Sequence, residues 1–302
     1  MKLLILGGSG FVSGRASVIA MEKGHEVWTV TRGLRPIPDG AHPITADRTD
    51  ENALRAALAA VGEHWDAVID CTCRTENDAA IDLKVLPPFV RRAVIISTDS
   101  VYNPAHKTNP QAEEADEYMS DGGYGNHKRR MELEFINSAG SGLSWTIFRP
   151  GHIFGPGSQV GCYPEHSRQK DLIEHIRAGK PLRLVGGGKF LIHPIYMDDL
   201  VLDMLAATDE SRAVNQIFCI GGPDIVTNAE YFRILGSIIG TPVSIEEIPL
   251  DGYLEKHPEY SGHLCERAYS LEKLKSARLP LPATHLRDGL KRQVEWLEAQ
   301  GK

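Results

Sequence analysis

The chain has 302 residues, of which 42% are hydrophobic and 24% charged, as is typical of a globular domain with a substantial core. Its net charge of −7 argues against a surface that coats nucleic acid, although Lys128-Arg129-Arg130 is a local basic segment. The five cysteines show no zinc spacing, no apolar run reaches membrane-spanning length, and the first predicted strand begins at Lys2. We therefore expect a cytoplasmic protein with reduced thiols, no signal peptide and no metal.

A glycine-rich turn follows the first predicted strand, at residues 2–6, and precedes a predicted helix that runs to Lys23. Strand, glycine turn and helix in this order are the context of a dinucleotide-binding fingerprint. Glycines let the backbone approach a pyrophosphate, and the helix N-terminus offers amide donors. Ser13 stands where the third glycine is usual, with Gly14 one place later, which we expect to strain the helix–strand packing. The residues predicted to bind the cofactor here are Gly7, Gly8, Ser9, Gly10, Phe11 and Val12.

The second predicted strand, 27–31, is followed by Arg32, and no acidic residue occurs before Asp39. At this position an acid binds the ribose hydroxyls of NAD, whereas an arginine accommodates the 2′-phosphate of NADP. Arg32 therefore favours NADP over NAD, unless it is simply a solvated side chain at a strand end. Asp47 is predicted to end a third strand, where it would either meet the adenine amino group or cap the helix predicted at 51–61.

Two further buried strands are predicted at 67–71 and 93–97. Cys71 ends the first of them and is expected to line the cofactor crevice. Thr98 follows the second, and its hydroxyl could meet a phenol across the crevice at the carboxyl ends of the strands.

Tyr124 and Lys128 are four residues apart, so on a helix they share one face. A free phenol titrates near pH 10, and a nearby ammonium group favours the phenolate. We therefore expect Lys128 to lower the pKa of Tyr124, so that the phenol can exchange a proton while a hydride moves.

The second half of the chain predicts a smaller lobe. A strand at 143–149 ends at Pro150-Gly151, and an irregular stretch precedes a helix at 171–178 and a strand at 182–185. Further along, Asp198-Asp199 opens a helix, a strand is predicted at 215–220, and Thr227 and Gly240 bound a helix at 228–239. A last helix at 285–299 has an apolar face expected in the core, formed by Leu286, Leu290, Val294 and Leu297. His152, His166 and His193 have no spacing that demands a metal, and we expect one or two of them in the substrate pocket.

Five blocks in order resemble the extended short-chain dehydrogenase/reductases, the family of nucleotide-sugar epimerases and dehydratases. These blocks are residues 5–11, 96–102, 124–128, 148–157 and 193–200. The resemblance implies that Tyr124 is catalytic, that Thr98 binds the reacting oxygen and that Lys128 supports the tyrosine and holds the nicotinamide ribose. Asp47 and Cys71, from their positions at strand ends, and Pro150 are further candidate cofactor contacts. The candidate substrate contacts are Thr98, Asp99, Ser100, His152 and His193.

The sequence departs from the family pattern at three positions. Ser100 follows Asp99 where the family's dehydratases have glutamate, so dehydration is less expected. His152 replaces a substrate-binding asparagine, and Ile192 and His193 align with an arginine that clamps the substrate pyrophosphate. Either Arg168 or Lys170 supplies that clamp, or the substrate is not a nucleotide sugar. The glycine turn and Arg32 also resemble an atypical branch that includes the chloroplast stem-loop RNA-binding proteins.

These observations predict an α/β protein: a doubly wound parallel sheet (Rossmann fold) with a smaller mixed C-terminal substrate lobe. The dinucleotide domain would span 1–160, with its sheet completed by about 193–222, and the lobe 161–192 and 223–302. The predicted activity is NAD(P)-dependent oxidoreduction or epimerisation at a secondary alcohol or ketone of a sugar-like substrate. The alternatives are an NADP-dependent carbonyl reductase for a non-nucleotide substrate, and a cofactor-carrying RNA-binding or sensor protein. By family analogy the protein would be a homodimer that pairs through helices at 78–86 and 124–136, with neither nucleic acid nor membrane as a partner.

Overall fold

A seven-stranded sheet forms the centre of the computed structural model, which describes residues 1–301. The strands of this sheet are β1 (Lys2–Leu6), β2 (Glu26–Thr31), β3 (His42–Thr45), β4 (Ala67–Asp70), β5 (Arg92–Ile96), β6 (Ser144–Pro150) and β11 (Gln216–Ile220). All seven are parallel, in the order β11-β6-β5-β4-β1-β2-β3, so the predicted doubly wound sheet is confirmed.

The inner strands are buried on both faces, which explains why they appear in the sequence as nearly continuous apolar runs. Helices cover both faces of the sheet. They are α1 (Phe11–Glu22), α2 (Glu51–Val61), α3 (Glu76–Val85), α4 (Tyr124–Ile136) and α6 (Met197–Ala207). The strand order reverses between β1 and β4, and doubly wound folds bind ligands outside the carboxyl ends of the strands at such a point.

Side-chain caps define several helix boundaries. Thr227 caps its helix and Gly240 ends it in a left-handed conformation, as predicted. Of the two roles considered for Asp47, the helix cap is wrong, because Asp50 accepts hydrogen bonds from the first turn of α2. Strand β3 also ends at Thr45, two residues before Asp47, whose carboxylate accepts bonds from the Thr49 amide and hydroxyl.

A second hydrophobic core lies in the C-terminal half of the chain. It gathers Phe154 and Val160 with residues of the last helix, and includes Leu286, Leu290 and Val294, as the apolar spacing predicted. The helices that contribute to it are α5 (Leu172–Arg177), α7 (Asn228–Ile239) and α10 (Leu286–Gln300). Two short helices, α8 (Tyr253–Lys256) and α9 (Glu272–Ser276), lie outside this core, and Leu274 of α9 packs in the core of the sheet. The other strands of this half are β7 (Ile153–Phe154), β8 (Leu182–Val185), β9 (Leu191–Ile192), β10 (Ile195–Tyr196), β12 (Val226–Thr227) and β13 (Ile245–Ile248). The residue boundaries of the two predicted domains remain predictions. Within residues 1–301, none of the helices combines the length and the apolar character needed to cross a membrane.

Helix α6 contains a buried acid outside the sites that we describe below. Asp203 has no exposed surface, and neither of its carboxylate oxygens has a hydrogen-bond partner among residues 1–301. Burial, together with the charge of Asp199, raises the pKa of Asp203 from 3.8 to about 8. A pKa raised in the folded state adds stability below the unfolded-state pKa, and that stability is lost as the pH rises through the folded-state value.

We therefore expect Asp203→Asn to become progressively more stable than the parent protein as the pH rises from about 4 to about 8. Melting temperatures measured across this range test the prediction. Asp209→Asn, an exposed change just beyond the same helix, should follow the parent at every pH. A gap between Asp203→Asn and the parent that does not change with pH would contradict the assignment.

Candidate active site

The glycine turn between β1 and α1 forms one wall of a cleft at the carboxyl edge of the sheet. Gly7 has φ +116°, a conformation that L side chains rarely adopt, and a Cβ there would lie 2.8 Å from the Cβ of Ser13. The Ser13 hydroxyl accepts a hydrogen bond from the Gly10 amide at 3.0 Å. Serine at the third position of the fingerprint is therefore accommodated, because Gly7 leaves room for it and its hydroxyl satisfies a backbone amide.

The cleft has a volume of about 500 Å³ and extends from the glycine turn to the ends of β2, β3 and β4. Most of the predicted cofactor contacts line it, namely Gly7, Ser9, Gly10, Phe11, Val12, Arg32, Asp47 and Cys71. Gly8, Lys128 and Pro150 are not among its lining residues, so their contacts remain predictions. A Cβ at Gly8 would lie 2.6 Å from that of Thr29, so this glycine lets the turn pack on β2. The first-turn amides of α1 have no partner within the helix, and together with the glycine cradle they fit a dinucleotide pyrophosphate.

Four arginines line the far part of the cleft, and they differ in their partners. Arg32, Arg35 and Arg74 are exposed, and no ion pair among residues 1–301 includes them. Arg48, in contrast, lies 2.8 Å from Asp70, 2.9 Å from Asp78 and 2.6 Å from Asp82. The positive charge available to an anionic ligand in this cleft therefore comes from Arg32, Arg35 and Arg74.

One side-chain group in residues 1–301 has metal-ligand spacing. Asp70, Cys73 and Asp82 are all buried and bring their ligand atoms within 4.8 Å of one another. The guanidinium of Arg48 already bonds both carboxylates, so we interpret this group as a buried ion-pair cluster.

Helix α4 brings Tyr124 to Thr98. The residue after the tyrosine is Gly125, and a Cβ there would overlap the carbonyl oxygen of Ser100. This glycine allows the first turn of α4 to pack against the loop that follows β5. Tyr124 is 58% exposed as a whole residue, while its hydroxyl lies close enough to the Thr98 side chain for Thr98 to act on its pKa. The structure therefore brings these two predicted catalytic side chains close together.

The pKa of Tyr124 is raised, which is opposite to the direction expected from the sequence. Partial burial of the hydroxyl is the main cause, and the charge of Asp99 acts in the same direction. The nearby Thr98 hydroxyl and the charges of Arg74 and Arg168 oppose the rise without reversing it. Tyr124 is therefore a protonated phenol at neutral pH in this state of the protein.

Lys128 has its ammonium group fixed by backbone carbonyls. It donates to the oxygens of Cys73 and Ile96 at 2.6 Å each, and the side chain is buried. Burial lowers the pKa of Lys128. An ammonium group has three donors, so one N–H remains for a ligand or a water. These anchors hold Lys128 at the ends of β4 and β5 and explain why it does not dominate the electrostatics of Tyr124.

A buried ion pair holds the same helix against the sheet. Arg149 of β6 donates to Glu132 of α4 at 2.8 and 2.7 Å, and neither residue has exposed surface. The Ser97 hydroxyl donates to Glu132 at 2.6 Å. Burial would raise the pKa of Glu132, but Arg149 and Ser97 outweigh it and lower the value. Ser97 directly precedes Thr98. The ion pair of Arg149 with Glu132, which holds Ser97, therefore also fixes the end of β5 beside the candidate site.

Asp99 is buried and paired with the C-terminal part of the chain. Arg267 donates to its Oδ2 atom at 2.8 and 2.6 Å, and the Tyr269 hydroxyl does so at 2.6 Å. Burial would raise the pKa of Asp99, but Arg267, Lys107 and Tyr269 lower it to about 2. Asp99 is therefore an anion at neutral pH and has no proton to supply to a leaving hydroxyl.

The three histidines considered from the sequence have different environments. His193 is buried, and both of its ring nitrogens bond the backbone, at Gly222 and Tyr269. It therefore has no ring nitrogen available for a substrate, contrary to the prediction. The two ring nitrogens of His166 are likewise occupied, by the Gln169 side chain and by the Arg183 amide.

His152 stacks on Phe154. Its burial, together with the charges of Arg267 and Arg168, lowers its pKa to about 3, so it is a neutral imidazole.

Arg168 lies in the irregular stretch before α5 and has φ +50°, a left-handed conformation that is uncommon for a non-glycine residue. It is exposed, and it lies close enough to Tyr124 and His152 to lower the pKa of both. Of the two residues considered as an anion clamp, Arg168 is thus positioned near the predicted catalytic tyrosine.

Comparison with known proteins gives a consistent picture. Residues 3–221 match the family model described as NAD dependent epimerase/dehydratase family. The chain is 30% identical over 227 residues to 2′-dehydrokanamycin reductase of Streptomyces kanamyceticus, which is 71% of this chain and 60% of that protein. It is 27% identical over 241 residues to chloroplast stem-loop binding protein of 41 kDa b of Arabidopsis thaliana, covering 75% of this chain and 60% of that protein. The match therefore spans less than two thirds of the length of both relatives.

Among solved structures, the chain is similar to a UDP-glucose 4-epimerase from Thermotoga maritima. The two share 20% identity and a TM-score of 0.79, with 100% of each chain covered. At this identity the likeness shows the fold alone.

Proposed function

Since the chain belongs to the NAD dependent epimerase/dehydratase family, we propose that it catalyses NAD(P)-dependent oxidoreduction at a secondary alcohol or ketone, with Tyr124, Thr98 and Lys128 as catalytic residues. The observation that carries this proposal is the closeness of the Tyr124 and Thr98 hydroxyls at the carboxyl edge of the sheet, where Thr98 acts on the pKa of Tyr124. It brings two hydroxyl groups together in a family that acts with a nicotinamide cofactor. When bound, the dinucleotide supplies or accepts the hydride.

Each of the three residues has a distinct chemical task in the proposed reaction. Tyr124 transfers a proton to or from the reacting oxygen, and Thr98 holds that oxygen by a hydrogen bond. Lys128, fixed by the carbonyls of Cys73 and Ile96, presents its remaining N–H and its charge to the ligands of the cleft.

The reductive direction is the better supported one. Ketone reduction needs a proton donor, and the raised pKa of Tyr124 keeps its phenol protonated through neutral pH. Dehydration is disfavoured because Ser100 stands at the position of the family's glutamate and Asp99, with a pKa of about 2, is an anion. The residue type at position 100 and the charge of Asp99 are thus two separate arguments against elimination of water.

A sugar-like substrate is the class that we propose. His152 offers a neutral ring to substrate hydroxyl or carbonyl groups, and Arg168 offers a positive charge to an acidic group near Tyr124. The relative from Streptomyces kanamyceticus is named as a reductase of 2′-dehydrokanamycin. The proposed substrate is therefore a keto sugar, either free, glycosidically linked or joined to a nucleotide.

Cofactor balance separates reduction from epimerisation. A net reductase consumes one NAD(P)H for each product, whereas an epimerase re-reduces its own intermediate and leaves the cofactor unchanged. We expect stoichiometric loss of NAD(P)H absorbance with a keto sugar that is turned over. Turnover without any change in absorbance would instead support epimerisation.

We propose NADP as the preferred cofactor because Arg32, with Arg35 beside it, lines the cleft without an acidic partner. Arg32→Gln should weaken NADPH binding by roughly tenfold or more, the usual size of a lost charge-assisted bond, and should barely change NADH binding. Fluorescence titration with both dinucleotides measures this ratio. Arg91→Gln, at the opposite edge of the sheet, is the matched control. Equal weakening of both dinucleotides by Arg32→Gln would contradict the preference.

A homodimer in the cytoplasm remains part of the proposal. Leu133 and Ile136 of α4 are 37% and 40% exposed, on a helix that the resemblance assigns to subunit pairing. Light scattering on the purified protein would measure the oligomeric state directly.

RNA binding is the second candidate, because the relative from Arabidopsis thaliana is named as a stem-loop binding protein. The net charge of −7 disfavours it. A gel-shift titration with a stem-loop RNA would decide, since binding through phosphates weakens steeply with salt. We expect no shift at physiological salt.

A further inference from the structure

We propose that Arg267 is a positioning residue that holds Asp99 behind Thr98 and so makes the Thr98–Tyr124 pair dependent on the C-terminal part of the chain. The catalytic meaning of this inference rests on the proposed function, although its test does not require turnover. No sequence motif marks Arg267, and it is separated from Asp99 by 168 positions.

The contacts of Asp99 are divided between its two oxygens. Oδ2 accepts three hydrogen bonds from the C-terminal part, two from Arg267 and one from the Tyr269 hydroxyl, at 2.6 to 2.8 Å. Lys107 donates to the Tyr269 hydroxyl at 3.0 Å, so the proton of that hydroxyl is directed to Asp99. All of these donors are buried or partly buried, and water competes little for the carboxylate.

The other oxygen, Oδ1, faces the candidate catalytic loop. It lies 3.3 Å from the Thr98 hydroxyl and 3.4 Å from the Ser100 hydroxyl, distances that are long for such bonds. Thr98 has a single hydroxyl proton, which goes to Asp99, to the Ser100 hydroxyl at 3.3 Å, or toward Tyr124 and the reacting oxygen. With Oδ2 saturated by Arg267 and Tyr269, Asp99 is a weakened competitor for that proton. Arg267 thereby leaves the Thr98 hydroxyl available to Tyr124.

The charge of Arg267 also helps Tyr124 to release its proton, because it balances the nearby anion of Asp99. The groups that act on Asp99 or Tyr124 are Arg267, Lys107, Tyr269, His152, His263, Arg74 and Arg168. Of these, Arg267 is the charge in direct contact with Asp99. Without it, the anion of Asp99 would act on Tyr124 with one cation fewer to oppose it, and the phenol would hold its proton more tightly.

The test is the titration of Tyr124 by NMR of carbon-labelled tyrosine, with the signal assigned by its loss in Tyr124→Phe. Arg267→Met should raise the titration midpoint of Tyr124 by at least about half a pH unit. Asp99→Asn combined with Arg267→Met should return the midpoint to or below the parent value, because the unbalanced anion is then gone. An unchanged midpoint in folded Arg267→Met would overturn the proposal.

Two further variants keep the test decisive. Arg183→Met removes an exposed arginine that pairs with Glu246 elsewhere in the C-terminal half, and it should leave the midpoint unchanged. If Arg267→Met does not fold, Tyr269→Phe removes one of the three donors and should raise the midpoint in the same direction by a smaller amount. No rise in Tyr269→Phe would then overturn the proposal.

Turnover adds a separate readout. Arg267→Met should lower kcat more than it changes KM, since Arg267 acts through Thr98 and Tyr124. If no substrate is turned over by the parent protein, the proposed function fails, while the NMR titration still decides whether Arg267 positions the pair.

Discussion

Replacing Tyr124 by phenylalanine is expected to lower kcat by roughly 10²- to 10⁴-fold, the usual contribution of a positioned proton donor. The variant removes one oxygen atom and leaves the ring that packs at the start of α4. Because Tyr124 is 58% exposed, the free energy of unfolding should change by no more than about 0.5 kcal/mol. Steady-state reduction of a keto sugar, followed by NADPH absorbance, measures the effect.

Binding and chemistry separate in this experiment. The Kd for NADPH should stay within about twofold of the parent value, because Tyr124 is not among the residues that line the proposed cofactor cleft. Tyr253→Phe is the matched control, because it removes a phenol hydroxyl that donates to Glu165 in the C-terminal half. A Tyr124→Phe protein with unchanged kcat would show that another group supplies the proton.

Replacing Glu132 by glutamine is expected to lower the free energy of unfolding by roughly 3–5 kcal/mol. The change leaves the guanidinium of Arg149 buried without its counter-charge, in a place where neither residue has exposed surface. Unfolding in urea, monitored by circular dichroism, measures the loss. The same variant should lower kcat, because Glu132 and Arg149 hold α4 and the end of β5, which carry Tyr124 and Thr98.

The double variant Glu132→Leu with Arg149→Leu tests the reason for this loss. Removing both charges avoids an unpaired buried ion, so the double variant should be more stable than the single one. Arg183→Gln breaks an exposed ion pair with Glu246 and should cost about 1 kcal/mol or less. If Glu132→Gln lowers the free energy of unfolding by no more than Arg183→Gln does, the ion pair of Arg149 with Glu132 does not hold α4 against the sheet.

Local patterns explain why much of the fold was predictable. Strands β1, β4 and β5 are short apolar runs, and the glycine turn after β1 is a local feature with one structural solution. The prediction of the extended short-chain dehydrogenase/reductase family is confirmed by the family match over residues 3–221. The closeness of Thr98 to Tyr124 was predictable in part, because Thr98 follows the end of β5 and Tyr124 begins the next long helix, α4.

Non-local contacts explain what the sequence did not reveal. Arg267 and Tyr269 reach Asp99 from positions 168 and 170 residues away, and no local pattern marks them. The direction in which the pKa of Tyr124 shifts depends on where the charged groups of Asp99 and Lys128 lie. A helical spacing of four residues does not specify those positions. Gly125 is the exception, since a glycine directly after a helix-borne tyrosine could have indicated a close backbone approach.

The most direct test of the account is a single-turnover reaction with NADPH that carries deuterium at the transferable position of its nicotinamide ring. Keto sugars, offered free and as nucleotide conjugates, serve as acceptors, and mass spectrometry measures deuterium in the product. We predict one deuterium on the new carbinol carbon with the parent protein and almost none in the same time with Tyr124→Phe. Deuterium transfer at the same rate in both proteins would contradict the assignment of Tyr124, and no transfer to any acceptor by the parent protein would contradict the proposed reduction.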